Sequence, residues 1–338
     1  MINRRDFAAM GVAAAGLSAC GKTADSGSGG TPGELHFSIL PTGPAATLQK
    51  NWQPVLDDME KAIGLKVKPF IPSNYTVLIE AMKFRQTDAG WFSNETGLEA
   101  VRRANGEVFA RTLGPGGVDG YNSVLIVKKG SGLTVEKLLK CDKTLSFGQA
   151  SPLSTSGYVA PMAYFFGEHN VQPEKCFKLV RTSDHNFNLL AVASGTLDVA
   201  TNNTTSMQMN RERGRDEWNK VEVIWTSPLI PEDPIIWRKD LDPAIKEKLR
   251  QFFLTYGTSG PNAARQRANI DPLHISGFKP ADNNHLLVVR EIEAREKWIQ
   301  AKWNGDAAQA AAAKKELDDV TAQRTALEAR TGVPAGAQ

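Results

Sequence analysis

One pattern occurs twice in this chain and settles most of what the chain can fold into. Tyr75 opens an apolar run through Leu78 and Ala81, and Asp88 stands thirteen residues after it. His185 opens a similar run through Leu189 and Ala191, and Asp198 stands thirteen residues after it. Each aspartate precedes a short apolar strand with a polar end, residues 93–96 in one copy and 201–204 in the other. Around the first copy, strands are expected at 34–40, 66–71 and 89–92, with helices at 45–63 and 76–84 between them. Around the second, strands are expected at 144–147, 177–180 and 197–200, with helices at 156–169 and 188–193. Strand and helix in alternation give a parallel, doubly wound sheet. Any two such units share a general likeness, but the equal spacing and matching polar ends indicate two α/β lobes of one architecture.

Two such lobes define a cleft, because ligands of open α/β sheets bind outside the carboxyl ends of the strands. Tyr75 and His185 are equivalent helix starts, one per lobe, and both are expected to face it. Extended crossings are expected at 121–127 and 221–226, with a few hinge residues permitting closure. Lobe 1 would then hold 34–120 and 227–338, and lobe 2 would hold 121–226. The stretch 291–330 is charged, Ala-rich and helical, with a thin apolar stripe of Leu317, Val320 and Leu327. It reads as a solvated helix on lobe 1, the alternative being a helix that pairs two copies as a homodimer.

The first residues read as an address. Arg4 and Arg5 form a twin-arginine pair, a small-residue apolar run follows over 7–17, and Leu17, Ser18, Ala19 and Cys20 fit a lipobox. That run is too short to span a membrane. Residues 1–19 are therefore expected to be a signal peptide, Cys20 a lipidated N-terminus, and 20–33 a Gly- and Ser-rich tether. This places the folded part outside the cytoplasmic membrane, anchored to it by lipid. Such a compartment permits a disulfide. Cys141 and Cys176 each precede an expected strand, and they either form a bridge or stay as two buried thiols.

Several functions are set aside. The net charge of +3 in 338 residues is too small to argue for nucleic acid. No nucleophile elbow, Walker A loop, His-Glu-x-x-His or CxxC pair occurs. The five histidines are scattered without ligand spacing, so neither a metal nor a cofactor is expected.

What remains is an anion site. Ser154, Thr155, Ser156 and Gly157 follow an apolar run at 145–148 and stand on the first turn of an expected helix. Unpaired N–H groups and a partial positive charge mark a helix start, and small hydroxyl residues let a tetrahedral anion approach. Alone, these residues could equally be an ordinary helix cap.

Further motifs carry a resemblance. They are Tyr75, Leu78, Glu80 and Ala81; Trp91, Phe92 and Asn94; Gly120, Tyr121 and Ser123; Ser154 to Gly157; Asp198 and Asn202 to Thr204; and Trp225, Ser227, Pro231, Asp233, Pro234 and Trp237. Over roughly 34–300 the chain resembles the phosphonate-binding proteins of bacterial ABC transporters, the PhnD family. The resemblance implies the two-lobed, type II periplasmic-binding-protein fold, capture of a phosphonate, and delivery to a membrane permease. It implies that Ser154, Thr155 and Ser156 donate to the phosphonate oxygens. Tyr75, Tyr121 and His185 are then further contacts, and Asp233 faces the amino end of an aminoalkylphosphonate. Asn94 and Thr205 stand as further candidates. Thr205 occupies a place where aminoalkylphosphonate binders carry a second acid, and Phe92 one where Tyr is common. A buried Asp233 without a partner would be costly, so an amino group or other donor on the ligand is expected. Phosphite, another small oxyanion, and a lipoprotein presenting its ligand to a sensor are the alternatives.

Overall fold

The computed structural model describes residues 33–212, 214 and 216–332. The signal peptide, Cys20 and all of the tether but Gly33 lie outside the described residues. The chain begins with β1 (Glu34–Ser38), α1 (Ala45–Ile63), β2 (Lys66–Phe70), α2 (Tyr75–Lys83), β3 (Ala89–Trp91), α3 (Asn94–Arg103) and β4 (Gly106–Leu113). A short β5 (Gly120–Tyr121) leads into β6 (Ser123–Lys128), α4 (Val135–Leu138), β7 (Ser146–Gln149), α5 (Pro173–Cys176) and β8 (Leu179–Thr182). Then come α6 (His185–Ser194), β9 (Val199–Asn203), α7 (Thr204–Glu212) and β10 (Val221–Thr226). The chain returns through β11 (Ile230–Pro231) to β12 (Pro234–Arg238), α8 (Pro243–Thr255), α9 (Ala263–Ile270), β13 (Gly277–Pro280), α10 (Leu287–Trp303) and α11 (Ala307–Thr331).

The elements follow their sequences. In α1, Leu48, Trp52, Val55, Leu56, Met59 and Ile63 recur at helical spacing and are buried, and Gly64 ends the helix in the left-handed conformation at φ +74°. The first core gathers Phe37, Trp52, Phe109, Trp237 and Phe253. Within it the Phe109 and Trp237 rings stack at 3.9 Å. The second gathers Phe147, Phe165, Phe166 and Phe177. Each such side chain contributes about 1.5–3 kcal/mol by leaving water.

Two sheets carry the lobes, one ordered β13-β4-β12-β3-β1-β2 and the other β10-β6-β9-β7-β8. The parallel part expected from the repeat is β2-β1-β3 in one and β8-β7-β9 in the other. The sheets are nonetheless mixed, which corrects the purely parallel expectation. β12 runs antiparallel to β3, and β6 antiparallel to β9. Each arrives from the other lobe at the carboxyl ends of the parallel strands and can only run away from them. The crossing segments pair as a two-stranded ribbon, Ile230 opposite Tyr121 and Pro231 opposite Gly120. β10, expected as the return crossing, instead stays in the second sheet as an edge strand on β6.

The repeated aspartates do the same local work. Asp88 accepts the His36 N–H at 2.8 Å, and Asp198 accepts the Ser146 N–H at 2.7 Å, each across 52 residues. Each ties the start of the third parallel strand to the first.

Two helical expectations change. The segment expected as an α-helix over 156–169 contains π-type turns. Val159 N–H bonds to Ser154 C=O, and Gly167 N–H to Met162 C=O, five residues back. The C-terminal stretch is a hairpin of α10 and α11. Gly305 turns at φ +71°, and the Asp306 side chain caps α11 by accepting from Gln309 N–H at 2.9 Å. α10 rests on both lobes rather than on lobe 1 alone. Its Glu293 takes a bidentate pair from Arg102, while Trp303 Nε1 donates to Asn170 at 2.9 Å and Ile299 lies over Gly167. Leu317, Val320 and Leu327 are buried.

Cys141 and Cys176 are joined by a disulfide. It ties together the approaches to β7 and β8, 35 residues apart. In the chain-entropy account a loop of that length is worth about 4 kcal/mol, and less where the reduced chain keeps structure. Urea unfolding with and without reductant should show a loss of about 2–4 kcal/mol on reduction. An unchanged midpoint would show that the bridge does not restrain the unfolded chain.

Candidate ligand-binding site

The strand ends and helix starts meet in one cavity of about 150 Å³ between the lobes. Tyr75 begins α2, and its helix is capped by Asn74, which accepts from Val77 N–H at 2.9 Å. His185 begins α6, capped by Asp184 accepting from Phe187 N–H at 2.7 Å. Ser93 caps α3 and Asn203 caps α7, accepting from Thr96 and Ser206 N–H. All of these stand beside the cavity together with the turn at 154–156. Helix N-termini from both lobes therefore point their positive ends at one space. No Lys or Arg among the described residues lines it.

The three hydroxyls of the turn are buried, and each already accepts a hydrogen bond from the protein. Ser154 Oγ accepts from Gly157 N–H at 3.2 Å. Thr155 Oγ1 accepts from Glu95 N–H at 2.9 Å, a contact from α3 in the opposite lobe. Ser156 Oγ accepts from Asn203 Nδ2 at 3.1 Å. A hydroxyl carries one proton and two lone pairs. With a lone pair filled by N–H, its own proton is left to donate. Ser154 also meets the Tyr75 phenol, which brings another O–H to the same point. Gly157 is required here, since a Cβ would sit 2.3 Å from that of Ala150 and 3.0 Å from the His185 ring.

The titratable groups divide the cavity into two ends. Burial lowers His185 to about 4, so the ring is neutral at physiological pH. Burial and the Asp233 charge raise the Tyr75 phenol well above its ordinary range, and the same holds for Tyr121. At the other end Tyr121 Oη and Asn94 Nδ2 approach Asp233 Oδ1, each at 3.4 Å. Desolvation, and then the charge of Glu232, push the Asp233 carboxyl well above the usual carboxylate range. Glu232 is buried and pushed up to about 7, with Thr112 Oγ1 donating to it at 3.1 Å.

Tyr75, Tyr121, Ser154, Thr155, Ser156, His185, Thr205 and Asp233 all line this one cavity. Asn94 stands behind the wall, holding Pro231 C=O at 2.7 Å and reaching Asp233. Thr205 offers no charge, yet the acid end still has two carboxyls, because Glu232 lines the cavity beside Asp233. Sequence reasoning passed over Glu232. Its one signal was its place between Pro231 and Asp233. The turn at Pro272–His274, which also lines the cavity, carried no signal at all. Among the described residues no three His, Cys, Asp or Glu side chains gather as a metal would require.

A family model for the periplasmic substrate-binding protein of phosphonate ABC transporters matches residues 37–286. The phosphonates-binding periplasmic protein of Escherichia coli (strain K12) is 36% identical over 311 residues, which is 90% of each chain. A solved binding-protein component of an ABC phosphonate transporter from Pseudomonas aeruginosa shares 37% identity at a TM-score of 0.82, covering 87% of this chain and 99% of that one. PhnD1 of Prochlorococcus marinus, solved in complex with methylphosphonate, superposes with a TM-score of 0.69 at 22% identity, over 78% of this chain and 97% of that one, a likeness of fold. The chain belongs to the family of phosphonate ABC-transporter periplasmic substrate-binding proteins, which bind and transport a substrate. Its fold is the two-lobed fold of that family.

The neutral state of His185 is open to test. An unfolded His binds its proton near 6.5 and the buried ring only near 4, so stability falls as pH drops through that window. Ring resonances followed by NMR should titrate near 4, and a midpoint near 6.5 would place the ring in water.

Proposed function

We propose that this protein captures an amino-bearing phosphonate in the interlobe cavity and hands it to an ABC permease. The observation that carries the reading is the state of the three hydroxyls, each accepting from a protein N–H and so left as a donor. A cradle of donors suits an oxyanion whose oxygens only accept. A protonated oxygen would point a donor at donors. Helix starts supply the positive field that Lys or Arg would otherwise provide. Charge-assisted hydrogen bonds of this kind are worth about 1.5–3 kcal/mol each.

The acid end supports the amino group. Asp233 and Glu232 lie side by side in the wall and are both pushed up, so neither carries its charge comfortably without a cation. An ammonium between them and the donor cradle would relieve both. A cavity of about 150 Å³ has the size of one that holds benzene, room for a short substituent beyond the phosphorus. Phosphite and methylphosphonate would leave the acid end unmatched.

The same reading includes the proposed lobe limits, 34–120 with 227–338 and 121–226. It also includes export by the twin-arginine route and lipid anchoring at Cys20, supported by Arg4, Arg5 and the lipobox. No described helix is long and apolar enough to cross a membrane. A homodimer through the C-terminal helices is the weaker arrangement, since the apolar stripe of α11 is already buried.

Calorimetric titration against 2-aminoethylphosphonate, methylphosphonate, phosphite, phosphate and taurine tests the ligand class. Ser154→Ala or Thr155→Ala should weaken phosphonate binding roughly 10- to 100-fold with the melting temperature nearly unchanged. Full affinity in both variants would remove the hydroxyls from the site. Asp233→Asn should weaken 2-aminoethylphosphonate about tenfold or more and leave methylphosphonate nearly unaffected. Equal losses for the two ligands would remove the ammonium role.

A further inference from the structure

Glu95 is the second residue of α3, and it touches the second lobe through its main chain. Its N–H donates to Thr155 Oγ1. The residue is 4% exposed, and Oε2 finds no hydrogen-bond partner among the described residues. α3 packs against the turn beginning at Thr155 and against α10, as well as against α2, β4 and β12, and the charges that bear on Glu95 come from α3 and α10. From α10, Glu293 adds negative charge and Lys297 positive; from α3, Glu99 adds negative charge and Arg102 positive. Arg102 and Lys297 are both already bonded to Glu293. The turn from the second lobe brings no charged side chain, only the Tyr158 phenol.

Opening the lobes must part α3 from the turn. Because α10 rests on both lobes, it must also part from one of them. Either way a wall leaves Glu95 and water reaches its carboxyl. We infer that Glu95 is a positioning residue for closure, which gains a proton as the lobes seal it and its N–H meets Thr155, so that capture of the ligand takes up a proton. This rests on the reading of the cavity as a phosphonate site.

The sign follows from the two states. Burial and the Glu293 charge hold the sealed carboxyl at about 8, whereas a hydrated one titrates near its ordinary value. Between those values the closed form binds one more proton than the open form. The closed form is therefore favoured at the acid side of the window, and the advantage declines as pH rises to about 8.

The test is titration of the mature protein with 2-aminoethylphosphonate from pH 6 to pH 9, wild type against Glu95→Gln. The ligand's own deprotonation is common to both proteins and cancels in the ratio of their affinities. That ratio should fall at least about tenfold between pH 6 and pH 8, then level off. Parallel profiles would overturn the proposal while leaving the phosphonate site intact. Absence of binding by the wild type at every pH would overturn both. Should Glu95→Gln fail to fold, Glu95→Ala is compared with the wild type over the same pH range, so that protons moved by the ligand, Asp233 and Glu232 again cancel. A ratio of affinities that falls at least about tenfold from pH 6 to pH 8 supports the coupling, and a constant ratio overturns it.

Discussion

An anion taken out of water must be met by donors that cannot turn away. A free hydroxyl fails this requirement, because its proton rotates to whatever acceptor is nearest. In the proposed site each hydroxyl of the turn has one lone pair occupied by an N–H, which narrows the directions its proton can take. Ser154, Thr155 and Ser156 each receive an N–H, from Gly157, Glu95 and Asn203. Those three donors come from the turn itself, from α3 in the other lobe, and from the end of β9. The rest of the architecture serves that convergence. The parallel strands must end together, the helices after them must start at the cavity, and the two lobes must close for Thr155 to find its donor. The absence of Lys and Arg from the lining, among the described residues, follows, since fixed dipoles do the work with no flexible charge to desolvate.

Much of this was legible in the residues because it rests on local rules. The spacing from Tyr75 to Asp88 and from His185 to Asp198 identified the duplicated unit. Its physical content is the bond from each aspartate to a strand start 52 residues away. Gly64 and the apolar spacing of α1 are equally local. What escaped depends on partners far along the chain. The antiparallel direction of β12 and β6 is set by where each enters its sheet, which no local pattern encodes. The π-type turns after Ser154 carry no local signal, and the first of them holds Gly157 close to Ala150 and the His185 ring. The break between α10 and α11 was readable, since Asn304, Gly305 and Asp306 are turn residues, but the alanine-rich run that follows masked it.

The site divides in the same way. The proposed anion end lies in residues adjacent in sequence, so the expectation could be formed from them directly. The acid end depends on Glu232 being turned into the same wall as Asp233, through Thr112 and the crossing ribbon. Thr205 alone suggested a single carboxyl there, and the fold supplies another from an unexpected direction. The cavity is thus polarised along its length. In the proposed reading that polarity orients the ligand, with shape as a second filter.

The order of strands in the first sheet has a consequence for biogenesis. β12 lies between β3 and β4, yet it leaves the ribosome more than a hundred residues after either. The second lobe, by contrast, is drawn from one uninterrupted stretch of chain between β6 and β10. The lobe whose synthesis begins first is therefore the last to close its sheet, and it waits with a gap between two apolar strands while its neighbour folds. α10, later still, covers faces of both. A chain cut short before α10 would leave surface uncovered on each lobe, since Glu293 meets Arg102 on one while Ile299 and Trp303 meet Gly167 and Asn170 on the other.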